Sequence, residues 1–138
     1  MSVLIDQNTN VLVQGITGRD GSFHARQMVK DGTNVVAGVT PGKGGEKMDD
    51  VPVYNSVRDA MSEHRIDATV IFVPAKFAGA AVREAADAEV PLIITITEGR
   101  PVLEMLEAYH RIRSTGLRMI CPNCPGPISP GNSRIGSI

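Results

Sequence analysis

Three glycines that follow the first apolar run are the clearest candidates for binding chemistry in the sequence. Gly15, Gly18 and Gly21 come directly after the run at residues 11–14, and a helical pattern continues over residues 19–30. A strand that turns sharply into a helix leaves the first backbone amides of the helix without intrahelical partners. Those amides and the helix dipole attract phosphate, and glycine lets an anion approach the backbone. The segment predicts a phosphate-binding turn, with a purely structural turn as the alternative.

The loop after the second apolar run carries a cation where many nucleotide-binding domains carry an acid. Dinucleotide dehydrogenases use the spacing G-x-G-x-x-G, not the G-x-x-G-x-x-G found here, and place a carboxylate about 20 residues further on to bind a ribose hydroxyl. In this chain Gly38-Val39-Thr40 leads into a glycine-rich loop that holds Lys43. An ammonium group there favours a ribose that carries its own phosphate, as coenzyme A and NADP do. A solvated loop lysine is the alternative.

Composition narrows the class of protein. The chain has 138 residues, of which 42% are hydrophobic, and 14 basic residues nearly balance 15 acidic ones. This length suits one domain, and the balanced charge gives no general attraction to nucleic acid or to acidic membranes. No apolar run reaches the ~20 residues that span a bilayer, and the first ten residues lack the features of a secretory signal. We expect a cytoplasmic protein, or one of the mitochondrial matrix in a eukaryote, that binds neither nucleic acid nor membranes.

Short β-branched runs alternate with amphipathic stretches along the chain. Such nearly continuous apolar runs are typical of strands buried on both faces of a parallel sheet. The predicted strands are residues 11–14, 35–39, 51–54, 68–73, 92–96 and 118–121. The alternation predicts a Rossmann-like, doubly wound α/β domain with a mainly parallel sheet and helices on both faces. We assign residues 1–121 to this domain, and the Pro/Gly-rich residues 122–138 to a tail or a connection to a further domain.

Apolar spacing and capping residues predict the helices. A helix over residues 19–30 would bury Ala25, Met28 and Val29, and Gly32 would follow its end in a left-handed conformation. A second helix would begin after Asn55 or Ser56, since Ser56 and Asp59 have the spacing of a capping box. A third would carry a stripe of apolar side chains, and a fourth would begin at Pro101. The stripe consists of Phe77, Ala81, Ala85 and Ala88.

The remaining reactive side chains favour no chemistry of their own. Cys121 and Cys124 have C-x-x-C form, but this pair follows the last predicted strand, whereas a redox pair of the thioredoxin type comes near the start of its fold. Two thiolates also leave a zinc site two ligands short. Asp49 and Asp50 read as a solvated loop, and the histidines as surface or capping residues. The histidines are His24, His64 and His110. We therefore predict no metal site, and keep a thiol oxidoreductase as a minor alternative.

Four strings of residues together resemble the α subunit of succinate–CoA ligase (succinyl-CoA synthetase), in the same order and at matching spacing. They are Gln14-Gly15-Ile16-Thr17-Gly18, Gly38-Val39-Thr40-Pro41-Gly42-Lys43-Gly44-Gly45, Ile93-Ile94-Thr95-Ile96-Thr97-Glu98-Gly99 and Pro122-Asn123-Cys124-Pro125-Gly126. The similarity runs essentially along the whole chain. One difference is Cys121, which stands where the family commonly has glycine.

The resemblance implies a Rossmann-like domain that binds coenzyme A. It assigns Thr17, Gly18, Arg19 and Asp20 to the CoA-contacting turn, Lys43 to a CoA-binding lysine, and Ile96, Thr97 and Glu98 to a further contact segment. Val73, Pro74 and Ala75 end another strand, and should line the same crevice because open α/β sheets bind ligands at that edge.

The resemblance also implies a parent reaction that this chain does not complete alone. The family joins succinate to CoA at the expense of ATP or GTP, with magnesium at the nucleotide site, a β subunit as partner and a phosphorylated histidine in a second α-subunit domain. His24, His64 and His110 match no such histidine, so we expect CoA binding without a catalytic residue here. The alternative is a stand-alone regulatory module that binds CoA or NAD(P).

Overall fold

A seven-stranded sheet organises the part of the chain that the structure, a computed structural model, describes: residues 8–95, 118–120, 128–129 and 133–134. In chain order the elements are β1 (Asn10–Gln14), α1 (Arg19–Lys30), β2 (Asn34–Val39), β3 (Lys47–Met48), β4 (Val51–Tyr54), α2 (Val57–Glu63), β5 (Ala68–Ile71), α3 (Ala75–Asp87), β6 (Leu92–Thr95), β7 (Arg118–Ile120), β8 (Ile128–Ser129) and β9 (Ser133–Arg134). The short strands β8 and β9 pair with each other in a separate antiparallel ladder.

The strand order in space is β3-β4-β2-β1-β5-β6-β7. All neighbours are parallel except β3, which pairs antiparallel with β4 over two residue pairs. The chain builds outward from β1 through β2 and β4, then returns to place β5 on the other side of β1. The strand order therefore reverses between β1 and β5, where doubly wound sheets bind ligands. The predicted Rossmann-like fold class is confirmed.

Five parallel strands end in one row of the sheet. Gln14 pairs with Val39 on one side and with Ile71 on the other, Val39 pairs with Tyr54, and Ile71 pairs with Thr95. The residues that follow these ends therefore leave the sheet side by side along its carboxyl edge.

The sheet separates two apolar clusters. In β1, Val11 and Val13 point to one face and Leu12 to the other, and all three are fully buried. Val11 and Val13 pack with Ala25 and Met28 of α1, while Leu12 packs in the cluster that holds side chains of α2 and α3. This alternation in a fully buried strand shows that helices cover both faces of the sheet, as predicted.

The predicted helix bounds agree better with the structure than the predicted buried faces do. Helix α1 has the predicted span, and Ala25 and Met28 are buried, but Val29 is 49% exposed. Its buried positions are Gly21, Ala25 and Met28, which lie one above the other, and Val29 is turned about 100° away from Met28. The apolar stripe of α3 is also only partly buried: Ala81 and Ala85 are buried, whereas Phe77 is 52% exposed and Ala88 is half-buried.

Capping follows the sequence closely. The Ser56 hydroxyl accepts a hydrogen bond from the Asp59 amide at 3.1 Å and caps α2, and Gly32 adopts a φ of 93° after α1.

Strand β5 ends at Ile71, two residues earlier than predicted. The predicted helix at Pro101 and the Cys121–Cys124 pair lie outside the described residues. No helix in the described ranges is both long and apolar enough to cross a membrane.

Candidate nucleotide-binding site

Backbone hydrogen bonds, one to β2 and one within the turn, hold the segment between β1 and α1. The Gly15 amide donates to the Val39 carbonyl at 2.7 Å, and the Gly18 amide donates to the Gly15 carbonyl at 3.0 Å. Gly15 has a φ of 84°, and a Cβ there would lie 3.0 Å from the Phe72 carbonyl oxygen. Only glycine accommodates both the left-handed backbone and this close approach.

Helix α1 is seated directly on this turn. A Cβ at Gly21 would lie 2.0 Å from the Gly15 carbonyl oxygen and 2.8 Å from the Gly15 carbonyl carbon. The helix begins at Arg19, and its N-cap residue, Gly18, supplies no side chain to accept from the first amides. The first turn of α1 thus presents its amides and the positive end of its dipole at the carboxyl edge of the sheet.

A cavity of about 480 Å³ adjoins the start of α1. Its walls come from the β1 turn, from the residues that follow β2 and β5, and from the first turns of α3. Gly15 and Gly18 form one side, Thr40 and Pro41 the second, and Val73, Pro74 and Phe77 the third. The half-exposed ring of Phe77 is therefore part of the cavity wall. This position explains why an aromatic side chain stands here outside the core. An apolar cavity beside open amides suits a ligand with an aromatic base and phosphates.

Lys43 lies on a loop of two consecutive tight turns outside this cavity. The Lys43 amide donates to the Thr40 carbonyl at 3.0 Å, and the Glu46 amide donates to the Lys43 carbonyl at 3.1 Å. The Lys43 side chain is 54% exposed, and its Nζ lies 3.9 Å from a Glu46 carboxylate oxygen. This surface contact is weak, so it leaves the ammonium group available to another anion.

A threonine pair links the two loops of the site. The Thr17 and Thr40 hydroxyls lie 2.9 Å apart, and the Thr40 hydroxyl also accepts a hydrogen bond from the Thr17 amide at 3.4 Å. Thr40 directly follows β2, at the place where a dinucleotide-binding domain would carry its ribose-binding acid. The structure thus puts a neutral hydroxyl at this place.

The predicted site residues take different positions around the cavity. Gly18, Val73 and Pro74 line it. Thr17 adjoins it through Thr40, Ala75 begins α3, and Arg19 and Asp20 are exposed in the first turn of α1. Ile96, Thr97 and Glu98 lie outside the described residues. The site assignments remain predictions, because the geometry alone identifies no ligand.

Sequence reasoning missed three residues that shape the site. Asn55 accepts hydrogen bonds from two amides of the Lys43 loop, Thr40 holds Thr17, and Phe77 lines the cavity. Phe77 carried a usable signal, since an aromatic side chain two residues into a helix that follows a strand end lies near the ligand edge of the sheet. Asn55 and Thr40 carried none, because their partners are distant in sequence.

Two histidines, Tyr54 and Asp49 contact neighbouring side chains, and none of the four lines the cavity. His64 is the C-cap residue of α2, and its Nε2 lies 3.0 Å from the Tyr54 hydroxyl. The half-buried His24 ring stacks on Phe72 at 5.1 Å between centroids. Burial raises the pKa of the Tyr54 phenol above 10.0, and the Glu63 carboxylate adds to the increase. Asp49 forms an exposed ion pair with Arg26 at 2.9 Å. Within the described ranges, no three His, Cys, Asp or Glu side chains come together as a metal site would require.

The strand order, the glycine turn and the cavity at the switch point are those of a Rossmann-like α/β domain. The chain belongs to the CoA binding domain family, which it matches over residues 6–99. It is 53% identical over 136 residues to the succinate–CoA ligase [ADP-forming] subunit alpha 2 of Archaeoglobus fulgidus, an alignment that covers 99% of this chain and 47% of that protein. The resemblance drawn from four strings is therefore confirmed. The chain spans about half the length of the curated relatives it matches.

Solved structures share the fold at low identity. The chain superposes on a dinucleotide-forming acetyl-coenzyme A synthetase of Candidatus Korarchaeum cryptofilum with a TM-score of 0.71 and 21% identity, covering 86% of this chain and 27% of that one. It superposes on a Rex-family repressor with a TM-score of 0.56 and 20% identity, covering 78% and 59%. Likeness at these identities shows the fold alone.

Proposed function

We propose that this chain binds coenzyme A and forms the CoA-binding part of a succinate–CoA ligase α subunit. The observation that carries the proposal is that the open start of α1 and the Lys43 loop flank one apolar cavity at the switch point of the sheet. Family membership and the similarity to succinate–CoA ligase α subunits support the same conclusion.

Three parts of the site suit three parts of CoA. The first-turn amides of α1 suit the pyrophosphate, because they and the helix dipole offer unpaired donors to an anion. The apolar cavity beside Phe77 suits the adenine ring, and the Lys43 ammonium suits the 3′-phosphate. Thr40 replaces the ribose-binding acid of dinucleotide-binding domains, so no carboxylate at the end of β2 repels that phosphate.

The contribution of this chain to the reaction would be positioning. Holding the nucleotide end of CoA rigidly on the sheet edge would confine the thiol to the volume where it meets an activated acyl group. We propose that the parent enzyme also contains a β subunit, which binds ATP or GTP with magnesium. We further propose that a second domain of the α subunit carries the histidine that is phosphorylated. We infer that residues 1–121 form the CoA-binding domain. We also infer that the protein is located in the cytoplasm, or in the mitochondrial matrix of a eukaryote.

Calorimetric titration tests the proposal directly. CoA, 3′-dephospho-CoA and NADPH are titrated into the chain at equal ionic strength. We expect CoA to bind about tenfold more tightly than 3′-dephospho-CoA, since one exposed charge-assisted contact to phosphate is worth ~1.4 kcal/mol. We expect weaker binding of NADPH. The absence of CoA binding by a folded chain would refute the proposal, and preferential binding of NADPH would favour a nicotinamide-nucleotide sensor instead.

The Lys43 contact has a matched control on the opposite edge of the sheet. Lys43→Ala should lower the affinity for CoA to that for 3′-dephospho-CoA, because only the 3′-phosphate contact is lost. Lys30→Ala removes the same charge from the last turn of α1 and should leave both affinities unchanged. Equal losses in the two variants would show that the effect is general electrostatic attraction.

A further inference from the structure

We propose that Asn55 is the positioning residue that gives the site its selectivity for a ribose 3′-phosphate. The inference rests on the proposed function, since it concerns how the Lys43 ammonium is placed for that phosphate. Asn55 lies directly after β4, outside the cavity wall, and reaches the Lys43 loop through its side-chain oxygen.

The loop that carries Lys43 is built from two turns that share this residue. In the first, Pro41 and Gly42 are the central residues, and Gly42 has a φ of 86°. In the second, Gly44 and Gly45 are central, and Gly45 has a φ of 93°. Glycine with positive φ at the third position is the pattern of a type II turn. Lys43 therefore stands at the corner where the first turn ends and the second begins.

Asn55 fixes this corner from both sides. Its Oδ1 accepts a hydrogen bond from the Gly42 amide at 3.0 Å and from the Gly44 amide at 2.9 Å. These amides are the immediate neighbours of Lys43 in the chain, so one oxygen atom holds the backbone on either side of its Cα. The contact is close enough that a Cβ at Gly44 would lie 2.5 Å from Asn55 Nδ2.

Backbone hydrogen bonds attach the ends of the loop and close its two turns, but the Gly42 and Gly44 amides have Asn55 as their partner. The Thr40 amide donates to the Tyr54 carbonyl at 3.0 Å, and the Gly45 amide donates to the Val53 carbonyl at 3.0 Å. Without the Asn55 oxygen, the Gly42 and Gly44 amides would turn to water and the exposed loop would gain conformational freedom. The loop would then have to become ordered on each binding event, and this entropic cost lowers the affinity for the ligand that uses the Lys43 ammonium.

The test compares the two ligands across a double-mutant cycle. We expect Asn55→Ala to weaken CoA binding about tenfold while 3′-dephospho-CoA binding changes less than about twofold. The Asn55→Ala/Lys43→Ala double variant should bind CoA no more weakly than Lys43→Ala alone, because both changes act on the same contact. A purely structural role would instead weaken both ligands equally, or add to the loss caused by Lys43→Ala, and either result would overturn the proposal.

A second variant and a neighbouring control guard against a simple folding defect. Gly44→Ala keeps the asparagine, but the new Cβ would push the side-chain amide of Asn55 away from the loop. This variant should therefore also lose discrimination between CoA and 3′-dephospho-CoA. Ser56→Ala removes the hydroxyl that caps α2 and should lower thermal stability without changing discrimination.

Hydrogen exchange makes the inference distinguishable from the proposed function. In ligand-free protein, the Gly42 and Gly44 amides should exchange about tenfold faster in Asn55→Ala than in wild type. If exchange is faster in Asn55→Ala but the wild-type chain binds no CoA, the proposed function is refuted, and with it the role of Asn55 in selectivity. Unchanged exchange with unchanged discrimination would refute the positioning role alone.

Discussion

Replacing Gly21 by alanine tests whether α1 is seated on the β1 turn as the structure has it. Gly21 is buried in the first turn of the helix, where alanine would normally favour folding by ~1 kcal/mol because glycine is a poor helix former. Here the new Cβ would lie 2.0 Å from the Gly15 carbonyl oxygen and 3.3 Å from the Ile16 Cα. Both are backbone atoms, so no side chain can rotate to relieve the contact.

The size of the conflict sets the expected magnitude. The Cβ···O separation falls more than about 1 Å short of ordinary contact, so the start of the helix must move away from the turn. Overpacking of this kind costs roughly 1–3 kcal/mol or more, which exceeds the gain in helix propensity. We expect a net loss of about 2 kcal/mol, which corresponds to a fall in Tm of about 5–10 °C for a domain of this size. Affinity for CoA should fall as well, because the first-turn amides move.

Thermal unfolding by circular dichroism and calorimetric titration measure the two effects. Gly18→Ala is the matched control for stability, since its Cβ would lie 3.3 Å from the same carbonyl oxygen and needs only a small adjustment. Its Tm should stay within about 3 °C of wild type. A Gly21→Ala protein as stable as wild type, or more stable, would refute the close seating of α1 and the arrangement of its amides.

Three further experiments test other parts of the structure. Met28→Ala should cost about 2–4 kcal/mol and Val29→Ala less than about 1, measured by urea unfolding, because Met28 is fully buried and Val29 is 49% exposed. The raised pKa of Tyr54 means that its contribution to stability is present below pH 10.0 and is lost as the pH rises through the higher folded-state value, so the difference from Tyr54→Phe should shrink there. Rising salt should weaken wild-type binding of CoA more than that of Lys43→Ala.

The sequence predicted what depends on neighbouring residues. The bounds of α1 agree because a glycine precedes its first turn and Gly32, with a φ of 93°, follows its end. The cap of α2 agrees because Ser56 and Asp59 are three residues apart, within reach of one hydrogen bond. The face of α1 was harder: Met28 and Val29 are adjacent and both apolar, and only the direction of the helix against the sheet decides which one is buried.

The site, by contrast, depends on strand register. Thr17 and Thr40 are 23 positions apart and Gly42 and Asn55 are 13 apart, distances that no helix or hairpin rule connects. They meet because Gln14, Val39 and Tyr54, the last residues of β1, β2 and β4, share one row of the sheet. The segments that leave this row, the β1 turn, the Lys43 loop and Asn55, therefore emerge next to one another.

An irregularity in β2 produces that alignment. The β1–β2 pairing begins with Asn10 opposite Asn34 and Val11 opposite Val35, but Leu12 lies opposite Ala37, so Val36 is an extra residue on β2. Without it, Gln14 would face Gly38, and the residue leaving the sheet beside the Gly15 turn would be Val39 instead of Thr40. An inserted residue of this kind re-aims the strand beyond it. The Thr40 hydroxyl owes its place beside Thr17, and the Lys43 loop its starting point, to one extra residue in the middle of β2, a feature that apolar patterning alone does not reveal.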